Sequence, residues 1–500
     1  MSPTSISDIV REVLTSRVYD VARKSPLERA AKLSSQRGHA VYLKREDLQP
    51  VHSFKLRGAY NKMCRLTPAQ RKKGVIAASA GNHAQGVALA AQRLHISALI
   101  VMPNTTPSIK VEAVKSYGAE VVLAGDNYSE AAAVCADIIK QTGRVFIHPF
   151  DDPLVIAGQG TIGQEIIEQL PDVTHIFVPV GGGGLIAGIA HYVKAVRPDV
   201  QIIGVEPVDS ASMTKSLAKG ERVTLAHVGI FADGVAVKRV GEHTFAAARR
   251  LVDSCITVTT DQICSAIKDT FEATRSIVEP SGALALAGLK SFELPAEAQA
   301  VAICSGANVS FERLQQIAER TLIGSGKEAL VSVRLPERPG AFLEFCDAVV
   351  GKRSISEFSY RLRTRDHANV LAGISVQNAQ DKAKLLRHMT KNGFVHTDLS
   401  NDDIAKEHVR HMIGGSAPST GEEIYHVEFP ERPGALGEFL STVGSTWNIS
   451  LFHYRFTASD IGKVLIGFEA ADRAALESKL TETGFTFSRV SSNPALTTFC

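Results

Sequence analysis

Across the first 320 or so residues, short β-branched apolar runs alternate with helical patterns. That alternation limits the folds open to this chain more than any other feature. Strand-like runs stand at Gly74–Ala78, Ala98–Met102, Glu120–Leu123, Val145–Ile147, His175–Val180, Gln201–Val205, Cys255–Val258 and Ala300–Cys304. Helical stretches lie between most of them, most clearly at Ser129–Gln141 and Leu185–Ala195. Such a pattern predicts an α/β domain with open, mainly parallel sheets. In sheets of this kind ligands gather beyond the carboxyl ends of the strands. Three polar or glycine-rich motifs stand there: Ser79–Gln85, Gly181–Gly184 and Ser305–Asn308.

The character changes after Ile323, where Gly324-Ser325-Gly326 reads as a linker. Beyond it Leu335-Pro-Glu-Arg-Pro-Gly-Ala341 recurs as Phe429-Pro-Glu-Arg-Pro-Gly-Ala435, and Ile355–Arg361 recurs as Ile449–Arg455. Both pairs are 94 residues apart (335 to 429 and 355 to 449), so a module is duplicated. Each copy reads strand, Pro-Gly turn, amphipathic helix, strand, strand, helix. The expected organisation is an N-terminal domain over 1–322, with a smaller subdomain at about 50–155, then α+β modules at 329–410 and 422–500.

Apolar content of 44%, charged content of 21% and a net charge of +3 are ordinary for a globular chain and call for neither nucleic acid nor an acidic membrane. No long apolar run and no signal-peptide core stand out, so no membrane span is expected and a cytoplasmic location is. Seven scattered cysteines without a C-x-x-C pair suggest reduced thiols rather than a disulfide framework or a zinc site.

Lys55 lies in Ser53-Phe-Lys-Leu-Arg-Gly58. A lysine amine condenses with an aldehyde, most readily where an apolar pocket lowers its pKa. Gly181–Gly184 stands between a strand and a helix, where backbone N–H groups wrap a phosphate. One cofactor carries both an aldehyde and a phosphate: pyridoxal 5'-phosphate. In Ser79-Ala80-Gly81-Asn82-His83, the turn offers N–H groups to a substrate carboxylate, and the Asn82 amide suits a phenolate oxygen. A Ser305 hydroxyl on the pyridine nitrogen would leave the ring largely unprotonated, favouring β-elimination over transamination. Ser305 can also open the helix at Phe311–Arg320. A competing reading takes Gly182-x-Gly184-x-x-Ala187 with Glu206 as a dinucleotide fingerprint, but it leaves Lys55 and the Ser79–Gln85 loop idle.

Together these motifs resemble the serine/threonine dehydratases, fold-type II (tryptophan-synthase-β-like) pyridoxal phosphate enzymes, over roughly residues 5–320. The duplicated tail resembles the tandem ACT-like domains of the family's biosynthetic members. The resemblance implies Lys55 as the Schiff-base lysine, Phe54 against the ring, Asn82 on the 3′ oxygen, Gly181, Gly182, Gly183 and Gly184 on the phosphate, and Ser305 at the ring nitrogen. Ser79, Ala80, Gly81 and His83 would meet the substrate, threonine or serine. Tyr360, Arg361, Tyr454 and Arg455 would bind isoleucine or valine as effectors, and a homotetramer is expected. Ala80 stands where the family's racemases carry serine, so dehydration is favoured over racemisation. Ser210 and Ser212 follow Glu206 where racemases place acidic metal ligands, so no metal is expected. Two alternatives stay open: a serine-preferring dehydratase, and a catalytically silent amino-acid sensor.

Overall fold

The computed structural model describes all residues except 1–4, 337–344, 352, 354, 363–366, 412–421, 431–437, 440–441, 444–446, 456–460, 471 and 500. The chain divides into two units, Met1–Arg313 and Leu314–Cys500.

Among its described residues the first unit holds ten strands: β1 (Leu27–Arg29), β2 (Ala40–Arg45), β3 (Val75–Ala78), β4 (Ala98–Met102), β5 (Glu120–Leu123), β6 (Val145–Phe146), β7 (His175–Pro179), β8 (Gln201–Pro207), β9 (Ser254–Val258) and β10 (Gln299–Cys304). They form a six-stranded sheet in the order β1-β2-β10-β7-β8-β9 and a four-stranded sheet in the order β5-β4-β3-β6. Every pairing is parallel except β1 with β2. Parallel strands are buried on both faces, and the sequence obliges: Ile176, Val178, Ile202, Val301 and Ile303 pack under Leu185, Ile186, Ile189 and Val193 of the helix Gly184–Val196. Each such side chain contributes about 1.5–3 kcal/mol by leaving water. The helix Tyr128–Thr142 starts where the Asn127 side chain accepts from the Glu130 N–H (3.1 Å) and stops at Gly143 in the left-handed region (φ 65°). The helix after β10 begins at Arg313, so Ser305 does not cap it.

β1 and β2 were not expected from the pattern. β2 ends in Lys44-Arg45, which reads as surface charge, yet both are buried. Lys44 Nζ donates to Glu165 Oε2 at 2.6 Å, and Arg45 pairs with Asp47 at 2.7 Å. Glu165 also accepts from Arg57 Nη1 (2.7 Å), while Arg57 Nε and Nη2 hold Glu46 at 2.8 and 2.7 Å. The side chains of Lys44, Arg57, Glu46 and Glu165 are fully buried. Desolvation works against the Arg57 charge, but Glu46 and Glu165 outweigh it and hold its pKa above the ordinary value. This four-charge cluster ties β2 to the helices Lys55–Met63 and Pro153–Gln169.

The second unit repeats one topology. β11 (Glu328–Pro336), β12 (Ile355–Leu362), β13 (His367–Ser375) and β14 (His396–Asp398) form an antiparallel sheet ordered β12-β13-β11-β14. β15 (Glu422–Pro430), β16 (Asn448–Arg455), β17 (Ile461–Glu469) and β18 (Thr486–Arg489) form another, ordered β16-β17-β15-β18. Even the irregularity recurs, with a bulge at Ile355/Glu357 in one copy and at Ile449/Leu451 in the other. Each copy carries a helix on its sheet, Ala379–Lys391 and Arg473–Glu482. The short fourth strands, β14 and β18, add to the expected order; both Pro-Glu-Arg-Pro-Gly turns lie outside the described residues. Among the described residues no helix is long and apolar enough to cross a membrane.

Candidate active site

Lys55 opens the helix Lys55–Met63. The loop before it is tied to the end of β10: Ser53 and Gly306 form an antiparallel bridge, the Phe54 N–H donates to Ser305 O (3.2 Å), and the Ala307 N–H donates to His52 O (2.9 Å). This pairing carries Lys55 to Ser305 from 250 residues away in sequence. Lys55 Nζ donates to Pro149 O (3.1 Å) and lies 5.2 Å from the Phe54 ring centre. Desolvation lowers its pKa to about 8, against the pull of Glu279. A fair share of the amine is therefore neutral near pH 7.5, as a nucleophile or base requires.

The Ser79–Gln85 segment leaves β3 and becomes the helix Asn82–Leu94. Its Gly86 lies against the Lys55 helix: a Cβ there would stand 3.0 Å from Leu56 N and Lys55 C. Asn82 Oδ1 accepts from Asn308 Nδ2 (2.6 Å), joining this motif to the Ser305–Asn308 segment. The Ser79 hydroxyl accepts from the Gly81 N–H (3.3 Å), holding the turn. Ala80 and Gly81 are partly exposed at its tip. His83 turns inward: its ring nitrogen contacts Ile147 O (2.7 Å), and desolvation, then Lys55, push its pKa down to about 3. The ring is neutral and engaged, which leaves its backbone N–H, in the first helical turn, as its free donor.

The glycine run links β7 to the helix Gly184–Val196, and each glycine is needed. Gly183 has φ +94° and a Cβ there would lie 2.8 Å from Met213 Cε; at Gly182 it would enter the Phe150 ring at 2.3 Å; at Gly181 it would meet Val235 Cα at 2.8 Å; at Gly184, Phe150 Cα at 3.0 Å. Thr244 Oγ1 donates to Gly182 O (2.6 Å) and fixes the loop's carbonyl side. Among the described residues none accepts from the Gly182 or Gly183 N–H. These orphaned donors at a helix N-terminus fit an anionic phosphate. Two buried hydroxyls nearby, Ser53 and Ser281, also lack partners, while Ser305 Oγ donates to Ser281 O (3.2 Å). Lysine, orphaned loop donors, an amide and a neutral hydroxyl suit the aldehyde, phosphate, phenolate and ring nitrogen of pyridoxal phosphate.

One residue of the site was missed by sequence reasoning. Glu279 is buried and accepts from Asn82 Nδ2 at 2.6 Å. The signal was available: the helix it precedes, Pro280–Ser291, is apolar nearly all round and so had to be buried, taking its leading acid inside with it.

Glu206 accepts from the Met213 and Thr214 N–H groups (2.8 and 2.7 Å) and the Thr214 hydroxyl (2.7 Å). Its carboxylate thus caps the helix Ser212–Lys219 and does not offer itself to a ribose, as the dinucleotide reading needs. Glu407, His408 and His426 bring ligand atoms within 4.8 Å of one another, but Arg320 (3.0 Å) and Lys463 (3.2 Å) already neutralise the Glu407 carboxylate. The backbones of Tyr360 and Arg361 lie in β12, opposite Val370 and Asn369; those of Tyr454 and Arg455 lie in β16, opposite Val464 and Lys463. Both strands end their sheets, and the four side chains lie outside the described residues.

Fold and site together define an enzyme that works through pyridoxal phosphate. Comparison with known proteins bears this out. The pyridoxal-phosphate dependent enzyme family matches residues 18–306, and the C-terminal regulatory domain of threonine dehydratase matches residues 319–409 and 414–500. The chain is 48% identical to the biosynthetic L-threonine dehydratase of Burkholderia multivorans, over 98% of this chain and 99% of that one. It is 50% identical to the chloroplastic biosynthetic threonine dehydratase of Arabidopsis thaliana, over 94% of this chain and 80% of the other. The solved structure of the processed form of threonine deaminase isoform 2 from Solanum lycopersicum, 51% identical, superposes with a TM-score of 0.61, covering 63% of this chain and 88% of that one. The chain belongs to the pyridoxal-phosphate dependent enzymes, among the biosynthetic threonine dehydratases with a C-terminal regulatory domain.

Proposed function

We propose that the protein converts L-threonine to 2-oxobutanoate and ammonia, the entry to isoleucine synthesis, and is inhibited by isoleucine bound to its duplicated tail. The observation that supports this reading is that three strand ends are tied together around the Lys55 loop: the Ser305–Asn308 segment bridges Ser53 and bonds Asn82, and the glycine run packs on Phe150, next to the Pro149 carbonyl that Lys55 Nζ contacts.

Bound pyridoxal phosphate supplies an aldehyde that captures the substrate amine and a ring that takes up the electrons left when the Cα proton departs. The Gly181–Gly184 N–H groups hold its phosphate, Asn82 its 3′ oxygen, and Phe54 flanks the ring. Ser305 would face the ring nitrogen with a neutral hydroxyl; its one O–H, which here donates to Ser281 O, would turn to that nitrogen, which would then gain no full proton. The turn Ser79–Gly81 and the His83 N–H hold the substrate carboxylate. Lys55, once its amine is free, removes the Cα proton. Fixing the Cα–H bond beside that amine is the main contribution of the protein to rate.

Tyr360, Arg361, Tyr454 and Arg455 serve isoleucine, with valine opposing it, which requires different affinities in two states of the enzyme. The active form is a cytoplasmic homotetramer, and serine is a second substrate. The test is a keto-acid assay with threonine and serine, with and without isoleucine. The wild type should be yellow and bleached by borohydride; Lys55→Ala should be inactive in the same assay. Full turnover by that variant would remove the mechanism, and a colourless wild type would favour the silent sensor.

A further inference from the structure

The Asn82 amide is held at both ends. Its Oδ1 accepts from Asn308 Nδ2 (2.6 Å), and its Nδ2 donates to Glu279 Oε1 (2.6 Å). Asn308 Nδ2 also donates to Val51 O (2.9 Å). A backbone carbonyl only accepts, so Val51 fixes which end of Asn308 is nitrogen. Asn308 then fixes which end of Asn82 is oxygen. Turned over, Asn82 would set nitrogen against nitrogen at Asn308 and oxygen against carboxylate at Glu279. One Asn82 N–H therefore remains for a ligand, with its direction set.

Glu279 is built into this position. It is 4% exposed, and its N–H donates to Gly306 O (3.1 Å). A Cβ on Gly306 would lie 2.7 Å from Glu279 Oε1 and 3.1 Å from Asn82 Nδ2, so glycine there lets the two approach. Charged groups face the carboxyl from several elements. Lys55 comes from its helix, Asp233 from the 3-10 turn Asp233–Val235, and Lys110 from the helix Ser108–Ser116. Lys110 pairs with Asp233 at 2.9 Å, and Arg313 stands 3.6 Å from Asp233. Among the described residues, no full counter-charge touches Glu279 itself.

Resting on the assignment of Asn82 to the cofactor's 3′ oxygen, we propose that Glu279 is a positioning residue. With Asn308 it locks the Asn82 amide in one orientation, and it places an ionisable carboxyl one hydrogen bond behind the cofactor. Burial, then Asp233, raise its pKa to about 7, against the Asn82 hydrogen bond. A carboxyl so placed changes charge near neutral pH, and a cofactor held by Asn82 would feel that change through the shared amide.

The test is the visible absorption of the holoenzyme titrated from about pH 6 to 8.5. The wild-type band should shift with a midpoint near 7, the value that burial gives Glu279. Glu279→Gln keeps an acceptor for Asn82 but cannot ionise, so its band should not shift near that midpoint. Asn308→Ala should keep the midpoint but release cofactor about tenfold faster or more, since one end of the clamp is gone. A Glu279→Gln band that shifts at the wild-type midpoint overturns the proposal. So does a wild-type band with no transition in this range, or wild-type cofactor release from Asn308→Ala. A wild-type protein with no borohydride-reducible band at Lys55 fails differently: it removes the cofactor reading and the proposal with it.

Discussion

Arg57→Met tests whether the four-charge cluster behaves as a buried ionic unit. Arg57 makes five hydrogen bonds: two to Glu46 and one each to Glu165, Thr161 and Arg23 O. Methionine fills the space but leaves Lys44 alone against two buried carboxylates. Breaking a buried pair from one side costs about 3–5 kcal/mol, because a charge stays buried without its partner. At an m-value of about 3 kcal/mol/M, the urea midpoint should fall by about 1 M or more. The sole tryptophan, Trp447, lies in the second unit, so unfolding of the first is followed by circular dichroism or the cofactor band. The pH dependence has a definite sign. In the wild type, Arg57 and Lys44 outweigh desolvation and hold the Glu165 pKa below its ordinary value. That stability is present above the unfolded carboxylate pKa and is lost as pH falls through the folded one. In the variant, the crowded carboxylates keep a proton that the unfolded chain has released above about pH 4.3, so stability falls as pH rises, by up to about 1.4 kcal/mol per unit. The deficit should be smaller at pH 5 than at pH 8. Adding Glu46→Gln restores charge balance and should recover much of the loss. A deficit equal at both pH values and untouched by Glu46→Gln would refute the reasoning.

Gly183→Ala forces a side chain into a left-handed position 2.8 Å from Met213 Cε; holoenzyme yield should drop, and thermal melts should show about 1–3 kcal/mol of lost stability. In cofactor-stripped protein, the rate at which Lys55 captures added pyridoxal phosphate should rise with pH and level off near its pKa of about 8. A rate still climbing toward the ordinary lysine value of about 10.4 would contradict the desolvated pocket. Dialysis against EDTA should leave threonine turnover unchanged, because the Glu206 carboxylate is committed to a helix end; loss of activity restored by a divalent cation would overturn the metal-free expectation.

Much of the fold was legible because it is written in local patterns. The apolar runs of β4 and β5 and the glycine run before Gly184–Val196 carry their structural reasons within a few residues. The shared offset of two motifs likewise foretold that β11–β14 and β15–β18 repeat one sheet. What escaped was decided by partners distant in sequence. Lys44 and Arg45 read as solvated charges until Glu165, 121 residues away, is placed beside Lys44. Glu279 has no motif of its own; its meaning comes from Asn82, 197 residues distant. His83 offers the substrate only its backbone N–H, because burial gives its ring to Ile147.

The Lys55 segment shows how the local and the distant parts meet. Residues two apart on a helix point about 200° apart, so they never serve the same surface. Lys55 and Arg57 therefore face opposite ways from one turn of Lys55–Met63. One presents its amine to Pro149 O, the other reaches into the cluster of Glu46 and Glu165. Anchoring on the Arg57 side fixes the rotation of the helix about its axis, and that rotation decides where the Lys55 amine arrives. A weaker anchor should thus appear as altered cofactor capture as well as lowered stability. Arg57→Lys separates the two effects: it keeps the charge but loses the fork that grips both carboxylates. Capture by Lys55 should slow in this variant even where the fold survives, and an unchanged capture rate would show that the helix holds its rotation without Arg57.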